Sequence, residues 1–463
     1  MSDMLVNKPP IKRIPNARKL IRENLIASHN CLIVIDDDPT GTQTIQDVNV
    51  FMDWSEESLG KAFDSGAPVF FISTNSRSLS ETEAKTIISE VGQNLSEVIS
   101  SRNKRILLAF RSDSTLRGHF PSEENCLVSA LELGLDGIII APAFFEAGRY
   151  TIDDIQWAEQ DGELTPVHET EFARDPFFSY KNSNLKAWVM EKIVDSIRSE
   201  DIYSISLKLL REGGPEAVAS ELMKASGKQY FICNATCYED YEILVMGIIK
   251  AESRGKKFAY HCAASFIKAR GGFKDKQFLT RKDLAIGNGP GLIVVGSYVE
   301  KTSRQLTQLL NSGLTDSLEL RVGLLRGKES AEREINSIIR ELNSKLGAGQ
   351  IVTLYTSRTV DLTSQQNFRE SGNMIEYSLC EILKQIQIRP EYLLVKGGFT
   401  SIEIAKSAIN VKQAYAIGQI ISGVPVWCLG AESSWPDIHF IIFPGNVGDD
   451  NALLTAVRIL AGK

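Results

Sequence analysis

The sequence predicts an α/β protein of two domains, each with a mostly parallel sheet flanked by helices and with the active site in the interdomain cleft. Three observations lead there. Short apolar runs rich in β-branched residues recur along the chain, polar turn-forming residues follow each run, and helix-period stretches separate them, over 463 residues in all. The alternation is the βαβ rhythm of buried parallel strands. The length exceeds what one hydrophobic core organises.

In the first series, strands are expected over 31–35, 69–72, 105–110, 137–141 and 230–233. The stretch 151–183, with Trp157, Pro166 and Pro176, shows no clean periodicity and is expected to be a long functional excursion over the first sheet. Gly287-Asn288-Gly289-Pro290-Gly291 reads as a hinge, so the domains are expected to be 1–286 and 287–463. The second series of strands is expected over 292–296, 350–355, 392–395, 424–429 and 438–443.

Hydrophobic residues make up 43% and charged residues 24%, which places the chain among globular proteins rather than disordered or fibrous ones. A net charge of -7 argues against a nucleic-acid binder. No apolar run approaches the roughly 20 residues of a membrane span, and the first residues carry charges where a signal peptide would be apolar. The expectation is a cytoplasmic protein with no membrane and no nucleic-acid partner. The seven cysteines are scattered singly, as buried free thiols would be, and Cys233 and Cys237 lack the spacing of a zinc site. The histidines form no ligand pair, so no metal site is expected in the protein itself.

In parallel sheets ligands collect at the carboxyl ends of the strands, and here those ends are unusually polar. The first strand runs into Asp36-Asp37-Asp38-Pro39-Thr40-Gly41, the second into Ser73-Thr74-Asn75-Ser76-Arg77, and the third into Arg111-Ser112-Asp113-Ser114-Thr115-Leu116-Arg117-Gly118-His119. The fourth adds Glu146 and Arg149. Each alone reads as a solvated surface turn; together they suit a carboxylate and several hydroxyls held at once. Asp37 is expected to accept the proton of an attacking hydroxyl or to hydrogen-bond that hydroxyl into line. In the second series, Gly296-Ser297 before a helix near Glu300, Lys396-Gly397-Gly398-Phe399-Thr400-Ser401 and Pro444-Gly445-Asn446 are three turns suited to phosphate. No Walker A, protein-kinase lysine or dinucleotide fingerprint is present, so the phosphate-binding solution is a different one.

In their order and over almost the whole chain, these motifs, with Pro142-Ala143-Phe144, Glu146-Ala147-Gly148-Arg149 and the stretch from His168 to Pro176, resemble the four-carbon acid sugar kinases. The resemblance implies an N-terminal acid-sugar domain and a C-terminal ATP domain. It implies transfer of the ATP γ-phosphoryl group, with magnesium, to a terminal hydroxyl of an erythronate, threonate or 3-oxo-tetronate. By position it implies substrate contacts at Asp36, Arg77, Arg111, Asp113 and Arg117 beside Asp37. It likewise implies nucleotide contacts at Ser297, Gly397, Gly398, Thr400, Gly445 and Asn446, with Phe399 in the same turn. Three departures, the acid Asp38 with its Pro39 continuation, Arg111 in place of lysine and Phe399, leave the kinase reading in place and bear on which sugar acid is read. A homodimer is the assembly considered. Closure on both ligands is expected, because water would compete as acceptor. The alternative is a non-catalytic ligand-binding or host-interacting protein that keeps the clamp. An oxidoreductase or aldolase would need a dinucleotide fingerprint or a Schiff-base lysine, and neither is evident.

Overall fold

The computed structural model describes residues 6–38, 40–102, 105–160, 162–194, 197–227, 229–358 and 365–463. Pro39, inside the first acidic turn, lies outside the described residues. The chain forms two compact units, one of residues 1–45 and 53–275, the other of 46–52 and 276–463. This differs from the expected boundary at 286/287. Residues 276–286 group with the second unit, where the Leu279 N–H bonds the Gln419 carbonyl. Residues 46–52 join it through a pairing across most of the chain length, which local patterning does not reveal.

The strands in chain order begin with β1 (Asn30–Asp36), β2 (Val48–Phe51), β3 (Val69–Ser73), β4 (Arg105–Arg111) and β5 (Gly137–Ala141). They continue with β6 (Arg149–Ile152), β7 (Ile155–Gln160), β8 (Glu163–Pro166), β9 (Ile202–Ile205), β10 (Gln229–Cys233) and β11 (Phe258–Cys262). In the first unit the sheet runs β3-β1-β4-β11-β5-β10-β9 and is parallel throughout. Its strands are buried on both faces by helices such as Glu81–Arg102 and Tyr238–Ser253, which is why they read as continuous apolar runs. The excursion at 151–183 contains most of a small antiparallel sheet, β6-β7-β8, followed by tight turns. Ala158, Val167, Ala173 and Tyr180 pack it onto Trp188 and Phe120, so it is a packed subdomain.

The second unit has β12 (Gly291–Val295), β13 (Asp316–Leu320), β14 (Ile351–Thr356), β15 (Tyr392–Lys396), β16 (Gln413–Ile421), β17 (Val424–Leu429) and β18 (His439–Phe443). Its order is β13-β14-β12-β15-β18-β17-β16-β2, parallel as far as β18 and antiparallel beyond. The core gathers Ile293, Val295, Leu394, Ile441 and Phe443 under the C-terminal helix Ala452–Ala461. In both units the connection order reverses beside the first parallel strand. β3 and β4 flank β1, and β14 and β15 flank β12. Such reversals leave a crevice at the carboxyl ends, between the diverging loops.

Candidate functional site

Register builds the first site. Parallel pairing sets Asp36, the last residue of β1, level with Ser73 on β3 and Arg111 on β4. Asp36 is 1% exposed, and neither of its carboxylate oxygens has a hydrogen-bond partner among the described residues. Arg111 Nη1 lies 3.4 Å from Asp36 Oδ1, an ion-pair distance beyond a good hydrogen bond. The Nε and Nη1 of Arg111 are themselves buried and unpartnered. Burial pushes the Asp36 carboxyl up to about 8, with Arg111 opposing and Asp38 and Asp37 adding repulsion. Gly41 covers this carboxylate so closely that a β-carbon at position 41 would fall inside it.

Asp37 is bonded on both oxygens. Arg77 Nε donates to Oδ2 at 3.1 Å and Nη2 to Oδ1, while the Ser112 hydroxyl donates to Oδ2 at 2.8 Å. Arg77 also reaches Asp38 Oδ2 at 3.0 Å, and the Thr40 N–H donates to Asp38 Oδ1 at 2.8 Å. Although burial opposes it, Arg77 and Arg111 hold the Asp38 carboxyl below its usual range. The same two acids, against burial, raise the Arg77 guanidinium further.

A second ion pair stands beside the first. Arg117 Nε donates to Asp113 Oδ2 at 2.6 Å, its Nη1 lies 3.5 Å from Asp175, and its plane covers Phe172 at 5.0 Å. Burial opposes ionisation of Asp113, but Arg117 and Arg77 hold it well below the usual carboxylate range. Arg149 approaches the same ring at 5.7 Å with a buried, unpartnered Nε. Glu123 is buried near Asp37 and pushed up to about 8, by burial first and then by that charge.

The structure therefore brings Asp36, Asp37, Arg77 and Arg111 into one cluster, with Asp113 and Arg117 coupled to it electrically. Sequence reading quoted Gly41, Ser112, Phe172 and Asp175 within its motifs without giving them a role, saw Arg149 as an additional cation, and passed over Glu123. The Gly41 position carries a sequence signal, a glycine five residues after a strand-end acid. Glu123 carries none, because it lies on the helix Ser122–Ala130 and its burial is tertiary. His119 bonds the Ser76 and Leu79 carbonyls, and His168 Nδ1 lies 2.6 Å from Ser183 Oγ, so both pin loops.

The second site forms at the reversal beside β12. Register sets Lys396 between Val295 and Phe443. The N–H groups of Gly296 and Ser297 bond the Lys396 carbonyl, and the Gly397 N–H bonds the Phe443 carbonyl at 2.8 Å. Ser297, Gly397, Thr400 and Gly445 crowd together as a result. A β-carbon on Gly397 would stand 3.1 Å from Thr400 Oγ1 and one on Gly445 3.0 Å from Ser297 Oγ. Gly397 has φ +127, a conformation other residues rarely adopt. Gly398 opens the short helix Gly398–Glu403, and Phe399 on it is 44% exposed. Asn446 contributes its carbonyl to Lys301 at 3.4 Å.

Two groups that sequence reading gave no role frame this turn. Thr302 Oγ1 donates to Ser297 Oγ at 3.1 Å or to the Gly445 carbonyl at 3.3 Å. Arg358 Nη2 donates to the Ser297 carbonyl at 2.6 Å, while its plane covers Tyr298 at 5.1 Å. Among the described residues no group of three or more His, Cys, Asp or Glu side chains is arranged to hold a metal ion, and no helix is long and apolar enough to cross a membrane.

Residues 32–270 match the model of a sugar-binding N-terminal domain and residues 292–453 that of a nucleotide-binding C-terminal domain. No curated protein matches the sequence. Among solved structures, the chain is similar to a Salmonella typhimurium LT2 protein named as a candidate tRNA synthase, at 16% identity and a TM-score of 0.70, covering 93% of this chain and 99% of that one. It is also similar to a Haemophilus influenzae protein at 17% identity and a TM-score of 0.64, covering 93% of this chain and 100% of that one. Those likenesses carry the fold, and the two matched domains carry the lineage: the chain belongs to the four-carbon acid sugar kinase family.

Proposed function

We propose that the protein is a cytoplasmic kinase that moves the γ-phosphoryl group of ATP onto a terminal hydroxyl of a four-carbon acid sugar of the erythronate, threonate or 3-oxo-tetronate type. The observation that carries this reading is the buried Asp36–Arg111 pair, with two oxygens and two nitrogens left without hydrogen bonds. Leaving such groups unpaired costs about 1–3 kcal/mol each, so the pair is built to be completed by something. A hydroxy acid supplies what is missing, with an anionic carboxylate for the guanidinium and a hydroxyl for the carboxylate.

Within this reading Arg111 and Arg149, whose buried nitrogens lack hydrogen-bond partners in this cluster, take the substrate's anionic end, whereas Arg77 and Arg117 are committed to acids. Asp36 accepts the hydroxyl proton. Its oxygens are free and burial makes it more basic, whereas Asp37, which sequence reading favoured for that role, is spent on Arg77 and Ser112. Asp37 then acts as a positioning residue. In the second unit the N–H groups of Gly398 and Gly445 with the Ser297 and Thr400 hydroxyls cradle the phosphates at the turn that Gly397 opens, and exposed Phe399 and Val299 offer apolar surface to the base. Magnesium in this reading travels on the nucleotide phosphates, where it neutralises charge during transfer.

The test is ADP release on incubation with ATP, magnesium and a panel of four-carbon sugar acids. Release with at least one acid, reduced about 10²–10⁴-fold in Asp36→Asn, is the expected result. Measurable ATP binding with no release on any acid would replace the kinase by a non-catalytic ligand-binding protein.

A further inference from the structure

We propose that Lys396 ties nucleotide binding to the uptake of a proton, as a neutral amine in the free protein that becomes an ammonium when a nucleotide phosphate lies against the turn it holds. The proposal rests on the nucleotide reading above and deepens it. Lys396 ends β15 with its side chain wholly buried. Its Nζ donates to the Pro444 carbonyl at 2.7 Å and to the Gly445 carbonyl at 3.0 Å. A neutral amine has two N–H donors, and two acceptors stand in place; an ammonium has a third N–H to satisfy. No carboxylate stands within ion-pair distance among the described residues, which is unusual for a buried lysine.

The charged groups on the surrounding elements do not repair this. On the helix Glu300–Asn311, Lys301 repels a second cation, and Arg304 is bonded to Asp450 at 2.9 Å and to Glu300 at 2.8 Å. On the 444–450 turn, Asp449 accepts the Asn451 N–H at 3.0 Å. Arg358, after β14, adds another cation close to Ser297. The Phe443 ring, 4.1 Å from Nζ, offers a soft seat for an ammonium, but it carries no net charge. Burial, with Lys301 second, brings the amine down to about 7.

A phosphate bound at the Ser297–Gly397–Gly445 turn would change that balance. It brings negative charge to the turn whose carbonyls Lys396 holds, in surroundings that screen charge poorly, and so favours the ammonium. Lys396 is in this sense a positioning residue that also carries a titration. By linkage, whatever raises its proton affinity on binding makes nucleotide affinity fall as pH rises.

Calorimetric titration of the full chain with ADP and magnesium tests this without turnover, at about pH 8, where the free amine is mostly neutral. In two buffers of different ionisation enthalpy the apparent binding heat should differ with the sign of proton uptake. ADP affinity should fall with rising pH, with a limiting slope of about tenfold per pH unit for one proton. Lys396→Arg, which stays charged, should bind ADP with the uptake lost and the pH slope flattened. Ionisation of ADP itself is common to both proteins and cancels in the comparison. ADP binding by the native chain without proton uptake, or an equal slope in Lys396→Arg, overturns the proposal and leaves the nucleotide reading intact. Failure of the native chain to bind ADP at all overturns both.

Discussion

Asp36 and Asp37 are neighbours in sequence with opposite surroundings, and substitution should separate them. Asp36→Asn removes the proton acceptor, so turnover should drop about 10²–10⁴-fold in a steady-state assay. Because a base must be ionised, native kcat/KM for the sugar acid at saturating ATP should rise with pH through about 8. Stability runs the other way. A carboxyl whose folded value lies above its unfolded one stabilises the fold at low pH, and that contribution is lost as pH climbs through about 8. Asp36→Asn should therefore melt with the native protein in mild acid and above it in alkali, as thermal denaturation across pH would show. Asp37→Asn, in contrast, breaks an ion pair whose members are mostly buried, and should cost about 3–5 kcal/mol by chemical denaturation. Residue types at the strand ends made this cluster legible in the sequence. Which acid is left free was not, because it depends on where Arg77 and Gly41 point, and both are placed by tertiary packing.

The elements that carry the chemistry were legible as strands because burial on both faces writes them as apolar runs. β9, β11, β13 and β16 went unseen for a complementary reason. β13 alternates buried Leu318 and Leu320 with exposed Ser317 and Glu319, and β16 likewise alternates, so neither forms a continuous apolar run. β9 is only four residues long, and β11 reads as mixed because His261 is buried on Glu124 at 2.6 Å. The glycine turns did show in the sequence, and they can be tested as a unit. Gly397→Ala puts a side chain on a backbone at φ +127 and crowds Thr400, so ADP affinity should fall at least about tenfold while sugar-acid binding persists. Phe399→Ala should weaken nucleotide binding about tenfold if the exposed ring stacks on the base, as competition with other nucleotides would reveal.

At the scale of the molecule, the two-domain organisation was legible from length and from the repeated strand rhythm. The loan of one strand was not, because β2 pairs with β16 and the registered partners, such as Val50 and Ala414, are remote in sequence. A fragment of residues 276–463 lacks β2, so the edge of β16 at Gln413–Ala416 loses its ladder. That fragment should self-associate in size-exclusion chromatography, and fusing residues 46–52 to it through a flexible linker should restore a monodisperse, more heat-resistant species. The borrowed strand also bears on the order of events at the ribosome. Its own unit cannot be finished until β16 has emerged, so residues 46–52 wait for that partner while nearly all of the chain is made. Selection on that short segment then has to answer to two demands, pairing well at the end and not pairing with strangers before it.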